Sequence, residues 1–167
     1  AIVGAPLADA QATYPVVILN PGFSAIPTDY SFLTEELASH GYVVVAVPNM
    51  GAYSRGIDHE GMSMDVQARD LEFAFGQARG VPFVDATRVA TTGMSWGGLS
   101  NVLFASRNAN VDAVVTFEPL PKAWFGLDQA PPRLTSVRQK VEFLSGQGID
   151  LVWLMRFNQA LAEMSPE

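Results

Sequence analysis

Residues 88–98 read RVATTGMSWGG. The first five, Arg88 to Thr92, form a short β-branched run that predicts a buried strand. Gly93-Met94-Ser95-Trp96-Gly97 follows at once, and a helix is expected from there to about Ser106. A strand, a Gly-x-Ser-x-Gly turn and a helix in direct succession put the serine on a sharp elbow, its hydroxyl clear of the sheet. The flanking glycines let strand and helix approach, and Gly98 adds a third small residue at that contact. A helix-capping serine in a tight turn is the alternative reading of the same residues.

Upstream, Tyr14 to Leu19 (YPVVIL) is fully apolar and ends in Asn20-Pro21-Gly22, a buried strand followed by a turn. Thr28 to His40 predicts a helix: Thr28 or Asp29 caps its start, Leu33 and Leu37 lie one turn apart, and Gly41 stands just past its end. Tyr42 to Val47 (YVVVAV) is a second strand, stopped by Pro48. A polar loop from Asn49 to about Gly61 leads to a helix capped by Ser63 and running to about Gln77, with Leu71, Phe75 and Ala78 on one face. Val111 to Phe117 (VDAVVTF) is a fourth strand. Alternating strands and helices imply right-handed crossovers and a mostly parallel sheet flanked by helices. The unbroken apolar character of the strands fits burial on both faces.

The pattern weakens after Pro119. Gln129-Ala130-Pro131-Pro132 reads as a turn or linker, and Ser136–Leu144 and Ile149–Met164 read as helical. The expected organisation is one α/β domain over 1–167, with a core over 14–119 and a helical C-terminal segment over 133–164. Leu151, Leu154, Met155, Phe157 and Leu161 make that last stretch mostly apolar. It reads as a helix packed on the sheet or over a pocket, with a membrane- or partner-facing surface as the alternative.

Of the 167 residues, 49% are hydrophobic and 16% charged, enough apolar material for a core and too few charges for a disordered chain. The net charge of −7 is the wrong sign for a phosphate-backbone binder, so no nucleic-acid partner is expected. There are no cysteines, which excludes disulfides, thiol nucleophiles and thiolate metal sites. No apolar run reaches the roughly 18 residues of a membrane span. Residues 1–8 lack the basic start of a signal peptide, and both secreted and cytoplasmic locations stay open.

Ser95 needs a base to take its proton and two N–H donors for the oxyanion. The first donor is the backbone N–H of the following residue, Trp96; the second comes from the loop after an earlier strand. Asn20-Pro21-Gly22-Phe23-Ser24 is the candidate in the right order, with Gly22 letting the chain turn the Phe23 N–H towards the serine. The side chains of Phe23 and Trp96 would then wall the acyl pocket.

From Tyr14 to Pro119 the chain resembles the α/β-hydrolase superfamily, in the branch of dienelactone hydrolases, platelet-activating-factor acetylhydrolases and cutinase-like polyester hydrolases. VVILNPGFS (16–24), LASHGYVVVAVP (37–48) and RVATTGMSWGG carry the resemblance in that order. Where the family commonly has His-Gly, this chain has Pro21-Gly22, which leaves the Phe23 N–H in place. The resemblance implies a serine esterase, lipase-like in chemistry, acting on a small-molecule ester through an acyl-enzyme and needing no cofactor or metal. It also implies a triad acid at Glu118, at the end of the strand after the elbow helix. Asp128 and Asp150 are rivals, because most of the superfamily places the acid one strand later.

The family's triad histidine lies downstream of the acid, yet this chain has only His40 and His59. Three readings account for this. The chain is an incomplete version of the fold whose histidine sits on a further segment or a second chain; or His59, in the loop after the second strand, is the base; or the fold binds ligands without turnover. His40, at a helix end, favours the helix dipole instead.

Overall fold

In a computed structural model of the chain, residues 6–23, 25–50, 61–108, 111–119, 121–126 and 136–164 are described. Among the described residues, five strands form one sheet: β1 (Tyr14–Asn20), β2 (Val43–Ala46), β3 (Val84–Gly93), β4 (Val111–Glu118) and β5 (Leu151–Arg156). Their order is β2-β1-β3-β4-β5, and every neighbouring pair is parallel. Because all strands run the same way, their carboxyl ends share one edge, where open α/β sheets place their sites.

The two middle helices carry much of the packing. α2 (Gly61–Ala78) turns Leu71, Phe75 and Ala78 inward, and α3 (Trp96–Arg107) contributes Phe104 and Ala105. They meet Val16, Ile18, Val89 and Val111 of the strands in one buried cluster, with Phe75 and Phe104 edge to face at 6.2 Å. Val16, Ile18 and Leu19 have no exposed surface, as an unbroken apolar run buried on both faces requires.

The helix expected over Thr28–His40 is divided. Pro27–Tyr30 forms a 3-10 turn whose start is closed by Asp29, and α1 proper is Ser31–Ser39. Proline at the first position cannot supply an N–H, and Asp29 accepts from the Ile26 N–H instead (2.9 Å). The far end follows the reading: Gly41 has φ +83°, and the Tyr42 and Gly41 N–H groups return to the Leu37 and Ala38 carbonyls. Leu33 is 38% exposed, and α1 buries none of its residues fully. Ser63 lies inside α2, which already begins at Gly61.

The C-terminal segment departs from the reading. Ser136 caps α5 (Val137–Gly146) through the Gln139 N–H, as a helix start should. Residues 151–156, however, form β5 rather than part of a helix over 149–164. They pair in register with β4 from Ala113↔Leu151 to Glu118↔Arg156. The alternation of exposed Leu151 and Trp153 with half-buried Val152 and Leu154 is a strand period, and pairing with β4 overrides the helical spacing. Helix resumes only as the single turn α6 (Gln159–Ala162). β3 and β4, in contrast, meet only at Val89↔Val111 and Ala90↔Ala113, with a register shift between.

Candidate active site

β3 ends at Gly93 and α3 begins at Trp96, so Ser95 occupies the turn between them. Its backbone has φ 56° and ψ −115°, making it the one non-glycine residue with positive φ among those described. Such a conformation costs about 1–3 kcal/mol and persists only where the surroundings enforce it. Gly93 and Gly97 supply that enforcement. A Cβ on Gly93 would lie 2.5 Å from the Asn20 carbonyl oxygen and 2.7 Å from Asn101 Nδ2; one on Gly97 would overlap the Asn20 and Pro21 carbonyl oxygens. The elbow is thus pressed directly on the end of β1, with Ser95 exposed at the carboxyl edge.

The loop after β1 lies beside the elbow, where a Cβ on Gly22 would sit 3.2 Å from the Met94 carbonyl. Side-chain hydrogen bonds from Tyr30 and Asn49 hold it. The Gly22 N–H donates to Tyr30 Oη (3.1 Å), and Asn49 Nδ2 donates to both the Pro21 (2.7 Å) and Gly22 (2.8 Å) carbonyls. Phe23 follows, its ring edge-to-face with Trp96 at 6.0 Å. The two backbone segments read as oxyanion donors are therefore neighbours. Behind the elbow, buried Ser100 donates to Gln67 Oε1 (2.8 Å), tying α3 to α2.

Glu118 ends β4, the strand next to β3, on the same edge as Ser95. Its Oε2 lies 3.6 Å from Lys140 Nζ, and both side chains are about three-quarters buried (21% and 25% exposed). Its backbone carbonyl accepts from the Phe157 N–H (3.2 Å). The rival Asp150 precedes β5 and so lies at the amino edge, away from the serine. His40 lies at the amino edge too, just before β2, its Nδ1 2.9 Å from the Glu36 carbonyl. His59 and Asp128 fall outside the described residues. Trp124, Phe125 and Phe157 form an edge-to-face trio with centroids 4.9–5.7 Å apart beyond the ends of β4 and β5.

Tyr30 and Asn49 were not singled out by the sequence. Asn49 had a legible signal, a polar residue directly after the proline that stops β2, on the edge where sites lie. Tyr30 had none, because its hydroxyl reaches Gly22 only through the fold.

Residues 1–51 match the family described as platelet-activating factor acetylhydrolase, isoform II. Cutinase est1 of Thermobifida alba is 28% identical over 120 residues, covering 67% of this chain and 38% of that protein. The structure of a ferulic acid esterase from Streptomyces cinnamoneus aligns with a TM-score of 0.58 and 25% identity, over 88% of this chain and 51% of that one. The chain has a fold of the α/β-hydrolase type and is similar to cutinases, to the acetylhydrolase family and to esterases. It spans well under half the length of the cutinase and about half of the esterase.

A second likeness overlaps the first. Residues 99–167 match the family described as FAD synthetase. The bifunctional riboflavin kinase/FMN adenylyltransferase of Escherichia coli K12 is 39% identical over 54 residues, 32% of this chain and 17% of that protein. Ser95 lies before the FAD synthetase match and Glu118 within it. The match contains β4, α5 and β5, so it takes in the far side of the β3–β4 seam, where register pairing is short and irregular.

Proposed function

We propose that this α/β-hydrolase carries the nucleophile and oxyanion half of a serine esterase site. The observation that carries the reading is the Ser95 backbone, held at φ 56° between two glycines that the end of β1 leaves no room to replace. Strain of that kind is what a nucleophile elbow uses to present its hydroxyl. Ser95 Oγ attacks the ester carbonyl while a base takes its proton. The Phe23 and Trp96 N–H groups stabilise the oxyanion, the alcohol leaves with a proton, and water then releases the acid from the acyl-enzyme. The cutinase and esterase relatives support carboxylic esters as the substrate class. Exposed Met94 and Leu99 beside the serine favour an apolar acyl group.

No histidine follows Ser95, so the base is either His59 or a histidine from another segment or chain. A fluorophosphonate probe tests the reading. The expected result is a single adduct located on Ser95 by peptide mass spectrometry, together with slow turnover of p-nitrophenyl butyrate. Donors without a matched base retain about 10³–10⁴-fold over water, a small part of a full triad's effect. A folded chain that takes no label would favour a ligand-binding fold without turnover. Fast turnover that disappears in a folded His59→Ala variant would assign the base to His59.

Glu118 has the topological place of a triad acid. Two observations favour a second role, as the carboxylate that anchors α5 through Lys140: the ion pair itself, and its position inside the FAD synthetase match. Glu118→Gln is accordingly expected to keep the Ser95 labelling rate within about twofold of wild type, while losing about 1 kcal/mol of stability in urea denaturation. A labelling rate reduced tenfold or more in the folded variant would instead make Glu118 the acid.

A further inference from the structure

The geometry points to Asn49 as the positioning residue of the oxyanion loop, an inference that rests on the reading of Ser95 as nucleophile. The loop between β1 and the 3-10 turn must hold the Phe23 N–H still, because oxyanion donors act through preorganisation. Yet Pro21 has no N–H of its own, so on the donor side this tight turn depends on Gly22 and on groups brought in from outside. Asn49 meets that need from the end of β2. Its one amide NH₂ has two hydrogens, and each finds a carbonyl: Pro21 at 2.7 Å and Gly22 at 2.8 Å.

Those carbonyls belong to the peptide unit that carries the Phe23 N–H and to the one before it. The Gly22 carbonyl is in the same peptide unit as that N–H, so fixing the oxygen fixes the direction of the donor. Tyr30 holds the preceding peptide through the Gly22 N–H. Asn49 also connects the loop to β2, which pairs with β1 from Val16↔Val43 to Leu19↔Ala46, so the clamp closes on a rigid strand pair. The Asn49 side chain is partly buried and its Oδ1 meets no hydrogen-bond partner among the described residues. A side chain placed only for packing would not leave that oxygen buried while spending both donors on one loop.

Three variants test the assignment. Asn49→Ala removes both donors. Asn49→Asp keeps the shape but, ionised, can only accept, and so repels both carbonyls. The second-order rate of fluorophosphonate labelling at Ser95 is expected to fall about 10-fold in Asn49→Ala and about 100-fold in Asn49→Asp, the scale of a misplaced or lost oxyanion donor. The Asn49→Asp rate relative to wild type should recover as pH falls, beginning above the free carboxyl range because burial and the two carbonyls disfavour the ionised form, and the protonated side chain regains a donor. A merely structural role would not produce that recovery.

Amide hydrogen exchange of residues 22 and 23 gives a readout independent of Ser95. It should quicken in Asn49→Ala while the amides of β1 keep their protection. Unchanged exchange and unchanged labelling in a folded Asn49→Ala would overturn the assignment. Quicker exchange in a protein whose wild type takes no label would uphold the clamp and overturn the Ser95 reading. Tyr30→Phe, the third variant, should quicken exchange at residue 22 and lower labelling less than Asn49→Ala does.

Discussion

Gly97→Ala is expected to cost the chain about 3 kcal/mol of stability or more. The methyl would overlap the carbonyl oxygens of Asn20 and Pro21, both main-chain atoms of a strand end that cannot rotate away. Relief requires α3 to retreat from β1. That would open the contact beneath the elbow and disturb the buried Ser100–Gln67 bond behind it. A forced fit of one methyl in a close-packed interior costs about 1–3 kcal/mol, and this position belongs at or above the upper end because backbone closes it on two sides. Marginal stability leaves little to absorb such a loss. Urea denaturation followed by circular dichroism checks it against Gly76→Ala. Gly76 lies on an exposed face of α2 with nothing within 4 Å of an added Cβ. That control should gain about 1 kcal/mol from helix propensity alone. A Gly97→Ala protein within 0.5 kcal/mol of wild type, roughly the noise of a neutral surface change, would show that the elbow is not pressed on β1.

Ser95→Gly should separate stability from reactivity in the opposite direction. Glycine adopts φ 56° without the penalty a serine pays, so the variant is expected to be about 1 kcal/mol more stable than wild type. Ser95→Ala keeps a Cβ in the same conformation and should show no comparable gain. Both variants should lose fluorophosphonate labelling completely, because the nucleophilic oxygen is gone. The pair of melting curves then measures the strain at Ser95, the one non-glycine residue with positive φ among those described. Equal stabilities for wild type, Ser95→Ala and Ser95→Gly would mean that the elbow is relaxed. Ser95 would then hold no strain of the kind that presents a nucleophile.

The elements around the elbow were legible because each carries its own local signal. β1 and β2 are continuous apolar runs closed by Pro or Asn-Pro-Gly, α1 ends on a glycine that adopts φ +83°, and the glycines at 93 and 97 are spaced as a strand-to-helix turn demands. The C-terminal stretch was less legible. Its apolar residues satisfy a helical spacing as well as a strand alternation, and a six-residue run is too short to decide between them. Pairing with β4 decides it. Tyr30 and Asn49 escaped for a related reason: each meets its loop across a sequence gap that no local pattern spans.

By itself, the sequence determined which serine stands on the elbow, that the β1 run is buried, and that these 167 residues hold no histidine after His59. Those facts depend on residue type and near-neighbour spacing, which a chain carries unfolded. Only the tertiary structure decided that Asp150 lies on the wrong edge, that Glu118 faces Lys140, that residues 151–156 are a strand and that Asn49 grips the loop after β1. Each of these depends on strand direction and pairing, and a parallel sheet sets both through contacts between residues far apart in the chain.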